Sequence, residues 1–159
     1  FSIIIPLYNK IGFISRALDS VVSQTYKDYE IIVVNDGSTD NSYQLLQEYE
    51  DPRIKLYNNK ENLGVLESSN FLFGEVKGNF IAFKDADDWS HPEKIQKQVD
   101  YLMTNSDVSA CLTDSYYVDA IGNKVGRSYY PEETKVLFKK VSDLVKDVQM
   151  SLKNLWGKE

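Results

Sequence analysis

Short apolar segments and segments of helical periodicity alternate along most of this chain. Residues 2–7 and 31–34 form continuous, mainly apolar runs, without the alternation of a half-exposed strand. Such runs are typical of strands that are covered on both faces. Between them, apolar residues recur at helical spacing at positions 13, 14, 17, 18, 21 and 22. The pattern predicts an α/β fold in which a mostly parallel sheet is flanked by helices.

The same alternation continues to residue 112. It predicts strands at 54–57, 80–83 and 108–112, and helices around residues 45–49, 65–76 and 95–103. A hairpin with strands 115–118 and 124–130 should follow, with its turn at Gly122-Asn123, and we expect it at an edge of the sheet. From residue 136 onward the apolar residues share one helical stripe, which predicts a C-terminal amphipathic helix.

Composition limits the classes of partner. The chain has 24 acidic and 18 basic residues, a net charge of -6, which argues against binding to nucleic acid. A single Cys111 excludes a disulfide framework; we expect it to be buried in a cytoplasmic protein. No stretch approaches the ~18 consecutive apolar residues that a membrane-spanning helix needs.

The C-terminal segment differs in charge from the rest, because residues 134–159 carry six Lys against three acidic residues. Two interpretations stay open for its amphipathic helix. It packs on the domain or on a second copy in a homodimer, or it attaches peripherally to the anionic inner face of a membrane.

Three carboxylates follow the predicted strand at residues 80–83, namely Asp85, Asp87 and Asp88. Two unit charges about 4 Å apart repel by about 4 kcal/mol at an effective dielectric constant near 20, and a divalent cation would relieve that repulsion. Oxygen ligands suit Mg²⁺ or Mn²⁺, which accept one or two carboxylates together with water and substrate phosphates. The pattern therefore predicts a metal site for a phosphorylated ligand.

A simpler alternative is an acidic loop that caps the next helix, with Ser90 as the N-cap and Pro92 in the first turn. Capping explains residues 90–93 but not the three carboxylates before them. His91, the only histidine, is more typical of a structural loop residue here than of a general base.

Two other predicted strands end in polar residues. Asp36 follows the apolar run 31–34, where a carboxylate either contacts a ligand or stabilises the turn; Asp40 is better explained as a helix cap. At the end of the first strand, Tyr8 follows Pro6 and could stack on a base. Ligands of open parallel sheets bind beyond the carboxyl ends of the strands, so these residues are candidates for one site.

The order and spacing of five segments resemble those of family 2 glycosyltransferases: Ser2–Asn9, Ser23–Tyr26, Glu30–Asp40, Asn62–Gly64 and Asp85–Asp88. The resemblance covers roughly residues 2–120. It implies a Rossmann-like GT-A fold, with residues 1–130 as the nucleotide-sugar-binding part of the catalytic domain and residues 131–159 as the C-terminal helix.

The resemblance also implies roles for single residues. Pro6 and Tyr8 would line the nucleotide pocket, Asp36 would bind the base, and Asp85 with Asp87 would form an Asp-x-Asp element that contacts the nucleotide diphosphate. Asp87 and Asp88 would hold the Mn²⁺ or Mg²⁺ ion. The implied reaction is inverting transfer from a nucleoside diphosphate sugar, most often a UDP-sugar, to a saccharide or lipid-linked acceptor in bacterial surface polysaccharide or glycolipid synthesis.

The sequence departs from that pattern at two places. Ser68 and Ser69 stand where the family often has an arginine that meets the nucleotide, and the acceptor half with its general base is not recognisable in residues 131–159. The general base is therefore unassigned, and a fragment that binds a nucleotide sugar without transferring it is the alternative function. A phosphatase of the haloacid dehalogenase type and a nucleotidyltransferase share the acidic strand end but not the surrounding pattern.

Overall fold

The computed structural model describes residues 1–119 and 121–128. Ten elements follow in chain order: β1 (Ser2–Leu7), α1 (Ile14–Val22), β2 (Glu30–Asp36), α2 (Ser42–Gln47), β3 (Ile54–Asn59), α3 (Val65–Glu75), β4 (Ile81–Phe83), α4 (Lys94–Thr104), β5 (Ser115–Val118) and β6 (Lys124–Ser128). Residues 1–96 form one compact unit, and the chain from residue 97 forms another.

The first unit is built on a four-stranded parallel sheet with the strand order β3-β2-β1-β4. Strands β1 and β2 are completely apolar in their centres, and residues 3–5 and 31–34 are at most 1% exposed. On one face Ile4, Ile32 and Val34 pack with Leu72 of α3. Because neighbouring side chains of a strand alternate between faces, the equal burial of Ile3 and Ile5 shows that both faces are covered. The predicted parallel α/β sheet is confirmed.

Helix α1 buries one apolar face, which consists of Ile14, Ala17, Leu18 and Val21. These are the helically spaced positions that the sequence pattern identified. Phe13, which the same pattern included, is 52% exposed and lies at the N-cap. The predicted stripe therefore extends one position too far toward the N-terminus.

One predicted strand is wrong. Residues 108–112 do not form a strand. The chain leaves α4 through a turn in which the Val108 N–H donates to the Asn105 carbonyl at 3.0 Å, and an irregular segment follows. Leu112 is 75% exposed, and Cys111 is half-buried rather than buried. A short apolar run gives no periodicity that separates a strand from an irregular segment, so the pattern alone could not settle this one.

In the second unit, β5 and β6 form the predicted antiparallel hairpin, with Tyr116 opposite Arg127. Its position at a sheet edge stays a prediction. Residues 129–159 lie outside the described residues, and so do the predicted amphipathic helix, its membrane or homodimer contact and the domain boundary at residue 130. None of the helices within the described residues is long and apolar enough to span a membrane.

Candidate active site

The strand order of the sheet places a crevice beside β1. The chain proceeds outward from β1 to β3, then returns through α3 to place β4 on the other side of β1. Ligands of open α/β sheets bind at such a switch point, beyond the carboxyl ends of the strands. A cleft of about 520 Å³ lies there, within the usual size range of small-molecule sites.

The cleft is lined by the ends of β1 and β2, the loop before α3 and the loop after β4. All five residues predicted to bind the nucleotide line it: Pro6, Tyr8, Asp36, Asp85 and Asp87. They come from three separate parts of the sequence, and the parallel sheet brings them to the same edge. Their convergence is a property of the structure, whereas their roles toward a nucleotide remain predictions.

The loop after β1 is held rigidly. Asn9 adopts a left-handed conformation with φ at 50°, which asparagine tolerates better than most residues. Its Oδ1 accepts from the Thr39 N–H at 2.8 Å and its own N–H donates to Ser38 Oγ at 3.0 Å. The loops after β1 and β2 are therefore tied together, and Tyr8 projects from a fixed backbone with 44% of its surface exposed.

Asp40 completes this connection between the two loops. One carboxylate oxygen accepts from the Ser42 N–H at 3.0 Å, at the start of α2, and the other accepts from the Ile11 N–H at 3.1 Å. Asp40 is not the N-cap of α2 as predicted, because Asn41 holds that position; Asp40 instead connects the first N–H of the helix to the loop after β1.

Asp36 is 3% exposed and accepts hydrogen bonds from the end of β3 and from the loop before α3. Its donors are the Leu63 N–H at 3.0 Å, the Gly64 N–H at 2.9 Å and Asn59 Nδ2 at 2.8 Å. Burial acts to raise the pKa of Asp36, but these hydrogen bonds and one from Ser68 outweigh burial and lower it. Asp36 thus stabilises a turn while it also lines the cleft.

Gly37 makes that arrangement possible. Its φ is 66°, and a Cβ atom there would lie 2.5 Å from the carbonyl carbon of Glu61. The loop that donates to Asp36 therefore passes directly over the α-carbon of the next residue, where only glycine fits.

Ser68, at the position where an arginine was expected, is completely buried. Its Oγ accepts from Asn59 Nδ2 at 3.2 Å, and its hydroxyl helps to lower the pKa of Asp36. The departure from the family pattern therefore places a small neutral side chain in the hydrogen-bond network beneath the cleft.

Two lysines balance the charge of the acidic segment after β4. Lys10 Nζ donates to Asp87 Oδ2 at 2.7 Å, and this hydrogen bond is the main cause that lowers the pKa of Asp87. Lys84 is 5% exposed, and its Nζ donates to the Asp85 carbonyl at 3.2 Å. Burial lowers the pKa of Lys84 to about 8, and the charge of Asp88 opposes that shift most strongly. The predicted carboxylate repulsion is thus relieved in part by the protein itself.

The segment after the carboxylates is held by Gln24, which is completely buried. Its Nε2 donates to the His91 carbonyl at 2.8 Å, and its Oε1 accepts from the Ile95 N–H at 3.0 Å. The Thr25 N–H donates to the Pro92 carbonyl at 2.9 Å. Residues 23–26 entered the prediction only through the family resemblance, without a role of their own. The sequence signal that could have indicated a role for Gln24 is a polar residue just after an amphipathic helix.

The predicted N-cap at Ser90 is wrong, because α4 begins at Lys94. The Ser90 N–H instead donates to Ser20 Oγ at 3.0 Å, whereas the Glu93 N–H donates to His91 Nδ1 at 3.2 Å. The His91 side chain therefore stabilises the turn before the helix, which agrees with the structural role expected for it. Arg16, which sequence analysis did not single out, stacks on the Trp89 ring with 3.2 Å between its Cζ and the ring centroid.

The side chains fit a divalent cation that a ligand helps to bind. Within residues 1–119 and 121–128, no group of three His, Cys, Asp or Glu side chains is close enough to hold a metal ion. Mg²⁺ and Mn²⁺ at nucleotide sites, however, need only one or two carboxylates, because water and phosphates supply the remaining ligands. Of the predicted metal ligands, Asp87 lines the cleft together with Asp85, whereas Asp88 is exposed and is not among the residues that line it.

The sequence matches a known protein family and several of its members. Residues 2–155 match the family described as glycosyl transferase family 2. An uncharacterized glycosyltransferase of Haemophilus influenzae is 42% identical over 111 residues, which are 69% of this chain and 34% of that protein. This chain thus spans about a third of that relative's length.

Solved structures share the fold. Staphylococcus aureus TarS 1-349 in complex with UDP-GlcNAc superposes with a TM-score of 0.64 at 27% identity, covering 67% of this chain and 32% of that one. The mannosyltransferase PcManGT of Pyrobaculum calidifontis, solved with GDP-Man and Mn²⁺, gives 0.62 at 24% identity, covering 67% and 33%. The α/β fold with its sheet and flanking helices is thus shared with these structures. This chain belongs to glycosyl transferase family 2.

Proposed function

We propose that this chain forms the nucleotide-sugar-binding part of an inverting glycosyltransferase that uses a UDP-sugar as donor and Mn²⁺ or Mg²⁺ as cofactor. The observation that carries the proposal is the convergence of Pro6, Tyr8, Asp36, Asp85 and Asp87 on one cleft at the switch point of the sheet. The S. aureus relative in complex with UDP-GlcNAc supports UDP as the nucleotide.

Different residues of the cleft contact different parts of the nucleotide sugar in this proposal. In this proposal Tyr8, exposed beside Pro6, offers an aromatic face to the base, and Asp36 offers a carboxylate to it. Asp85 and Asp87, which line the same cleft, contact the diphosphate. In this proposal Asp87, with Asp88 as its neighbour, holds the metal ion, which when bound neutralises the diphosphate as it leaves.

The reaction that we propose needs a partner that these residues do not supply. An acceptor hydroxyl attacks the anomeric carbon from the side opposite the diphosphate, and a general base takes its proton. Among the described residues His91 uses its Nδ1 to accept from the Glu93 N–H in a turn, so it is a poor candidate for that base. We propose a saccharide or lipid-linked acceptor in surface polysaccharide or glycolipid synthesis, which the family resemblance supports.

The second candidate is a nucleotide-sugar-binding protein without transfer activity, because no general base is assigned among the residues of the cleft. Two measurements separate the candidates. A thermal-shift screen with Mn²⁺ and a panel of UDP- and GDP-sugars reports binding, and release of the nucleoside diphosphate in the presence of acceptors reports transfer. Binding with release supports the transferase, binding without release supports the second candidate, and the absence of any shift contradicts both.

A further inference from the structure

Lys10 is the cationic side chain of the cleft. Among the described residues that line it, Asp36, Asp85 and Asp87 carry negative charge and Lys10 carries positive charge. The side chains of the Lys10–Asp87 pair are 39% and 40% exposed, and their donor and acceptor atoms are 2.7 Å apart. Ion pairs with that exposure contribute little stability, so this one is readily exchanged for other partners.

The backbone of Lys10 is fixed, although its side chain is not buried. Its N–H donates to Ser42 Oγ at 3.1 Å, and its carbonyl accepts from the N–H groups of Phe13 and Ile14, both at 2.9 Å. The lysine therefore always projects into the cleft from the same point. Its four-carbon stem allows the ammonium group to reach different partners from there.

A divalent cation on Asp87 would compete with this ammonium group. Both bind the same carboxylate, and two positive groups that share one oxygen repel each other. The ammonium released from Asp87 keeps only the weaker attraction of Asp85 until another anionic group enters the cleft. The diphosphate of a nucleotide is such a group, and a lysine ammonium donates well to phosphate oxygens.

We propose that Lys10 is a positioning residue that exchanges partners during ligand binding. It neutralises Asp87 in the empty cleft, releases Asp87 to the divalent cation, and then donates to the diphosphate. This inference rests on the proposed function. Its consequence is positive coupling, since Lys10 opposes binding of the metal ion alone and favours binding of the metal ion together with a nucleoside diphosphate.

Lys10→Met tests the exchange, because it removes the charge and keeps most of the stem. Mn²⁺ alone, measured by electron paramagnetic resonance of the free ion, should bind the variant about two- to fivefold more tightly than the native chain. UDP at saturating Mn²⁺, measured by calorimetry, should bind the variant about tenfold more weakly. The two changes have opposite signs, which general damage to the cleft would not produce.

Two controls accompany this variant. Lys27→Met removes the same charge from an exposed lysine that donates to the Gln24 carbonyl, and it should alter neither affinity. Lys10→Arg keeps the charge and should stay within about threefold of the native chain in both measurements.

The outcomes separate this inference from the proposed function. Unchanged or weaker Mn²⁺ binding by Lys10→Met would show that the lysine does not compete for Asp87, and an unchanged affinity for UDP would show that it does not contact the diphosphate; either overturns the exchange. If the native chain binds Mn²⁺ but not UDP, the proposed nucleotide site fails. If neither protein binds Mn²⁺, alone or together with UDP, the exchange and the proposed metal-dependent function are both wrong.

Discussion

Asp36 and Asp87 lie at the same edge of one sheet and line the same cleft, but their surroundings are opposite. Asp36 is 3% exposed and is held by backbone N–H groups and an amide, whereas Asp87 is 40% exposed at its side chain and is held by one flexible lysine. The pKa of each is lowered, in Asp36 by neutral donors that overcome burial and in Asp87 by a mobile charge.

The difference shows that one cleft contains a carboxylate with fixed hydrogen-bond donors and another whose donor can be replaced. Removing the donors of Asp36 would require the loop at residues 61–64 to unfold, whereas the donor of Asp87 can leave by a side-chain rotation. Asp36 is therefore suited to shaping the cleft and presenting a fixed acceptor. Asp87 is suited to binding an ion that arrives with the ligand.

The largest effect should come from Gly37→Ala, because it attacks the close approach on which the surroundings of Asp36 depend. The left-handed φ and the 2.5 Å approach to Glu61 should together lower the free energy of unfolding by about 3 to 4 kcal/mol in urea denaturation. Gly12→Ala is the matched control, because nothing lies within 4 Å of its Cβ position. Equal stability of the two variants would show that the loop does not pass as closely as described.

The paired variants Asp36→Asn and Asp87→Asn compare the two carboxylates directly. Asparagine at position 36 replaces one carboxylate oxygen with an NH₂ group, so either the Leu63 or the Gly64 N–H loses its acceptor and faces a donor, and the free energy of unfolding should fall by about 3 kcal/mol. At position 87 only an exposed ion pair is lost, and the change should stay below about 1 kcal/mol. Urea denaturation of both variants checks this, and a large loss for Asp87→Asn would remove the contrast.

A stabilising effect is expected for Lys84→Met, which removes a buried charge beneath the acidic segment. The folded-state pKa of Lys84, about 8, lies below its ordinary value of 10.5, so folding disfavours the charged form. That cost is complete below pH 8 and disappears as the pH rises toward 10.5. The variant should be more stable than the native chain by about 2 kcal/mol at pH 7, with a smaller difference at pH 10.

Denaturant unfolding at both pH values measures this difference. Lys27→Met, at an exposed lysine, should show no such dependence on pH. If Lys84→Met is instead less stable at pH 7, the Lys84 ammonium is needed to hold Asp85 and Asp88 in place, and charge balance outweighs the cost of burial.

The strands of the sheet and the residues of the cleft could be predicted from the sequence, because each depends on local pattern and on the rule that parallel strands end at one edge. The hydrogen-bond and ion-pair partners of the cleft residues could not. Lys10 and Asp87 are 77 positions apart, and nothing near Lys10 in the sequence indicates a carboxylate. The donors of Asp36 come from a loop whose path is permitted by Gly37, which is a feature of three-dimensional approach rather than of periodicity.

The strand predicted at residues 108–112 was wrong for a related reason. They are apolar enough for a strand, but a strand needs a neighbour, and within the described residues they pair with none. Apolar character alone does not tell which surface would cover a segment, and Leu112 remains exposed.

The most direct test of the cleft is a calorimetric titration of UDP, at saturating Mn²⁺, into the native chain and into Asp87→Ala. In our proposal Asp87 supplies the exposed carboxylate for the metal ion, so the native chain should bind UDP in a Mn²⁺-dependent manner and the variant should lose that binding while remaining folded. Binding of UDP by Asp87→Ala with unchanged affinity and unchanged dependence on Mn²⁺ would contradict the assignment of the metal and diphosphate to this edge of the sheet.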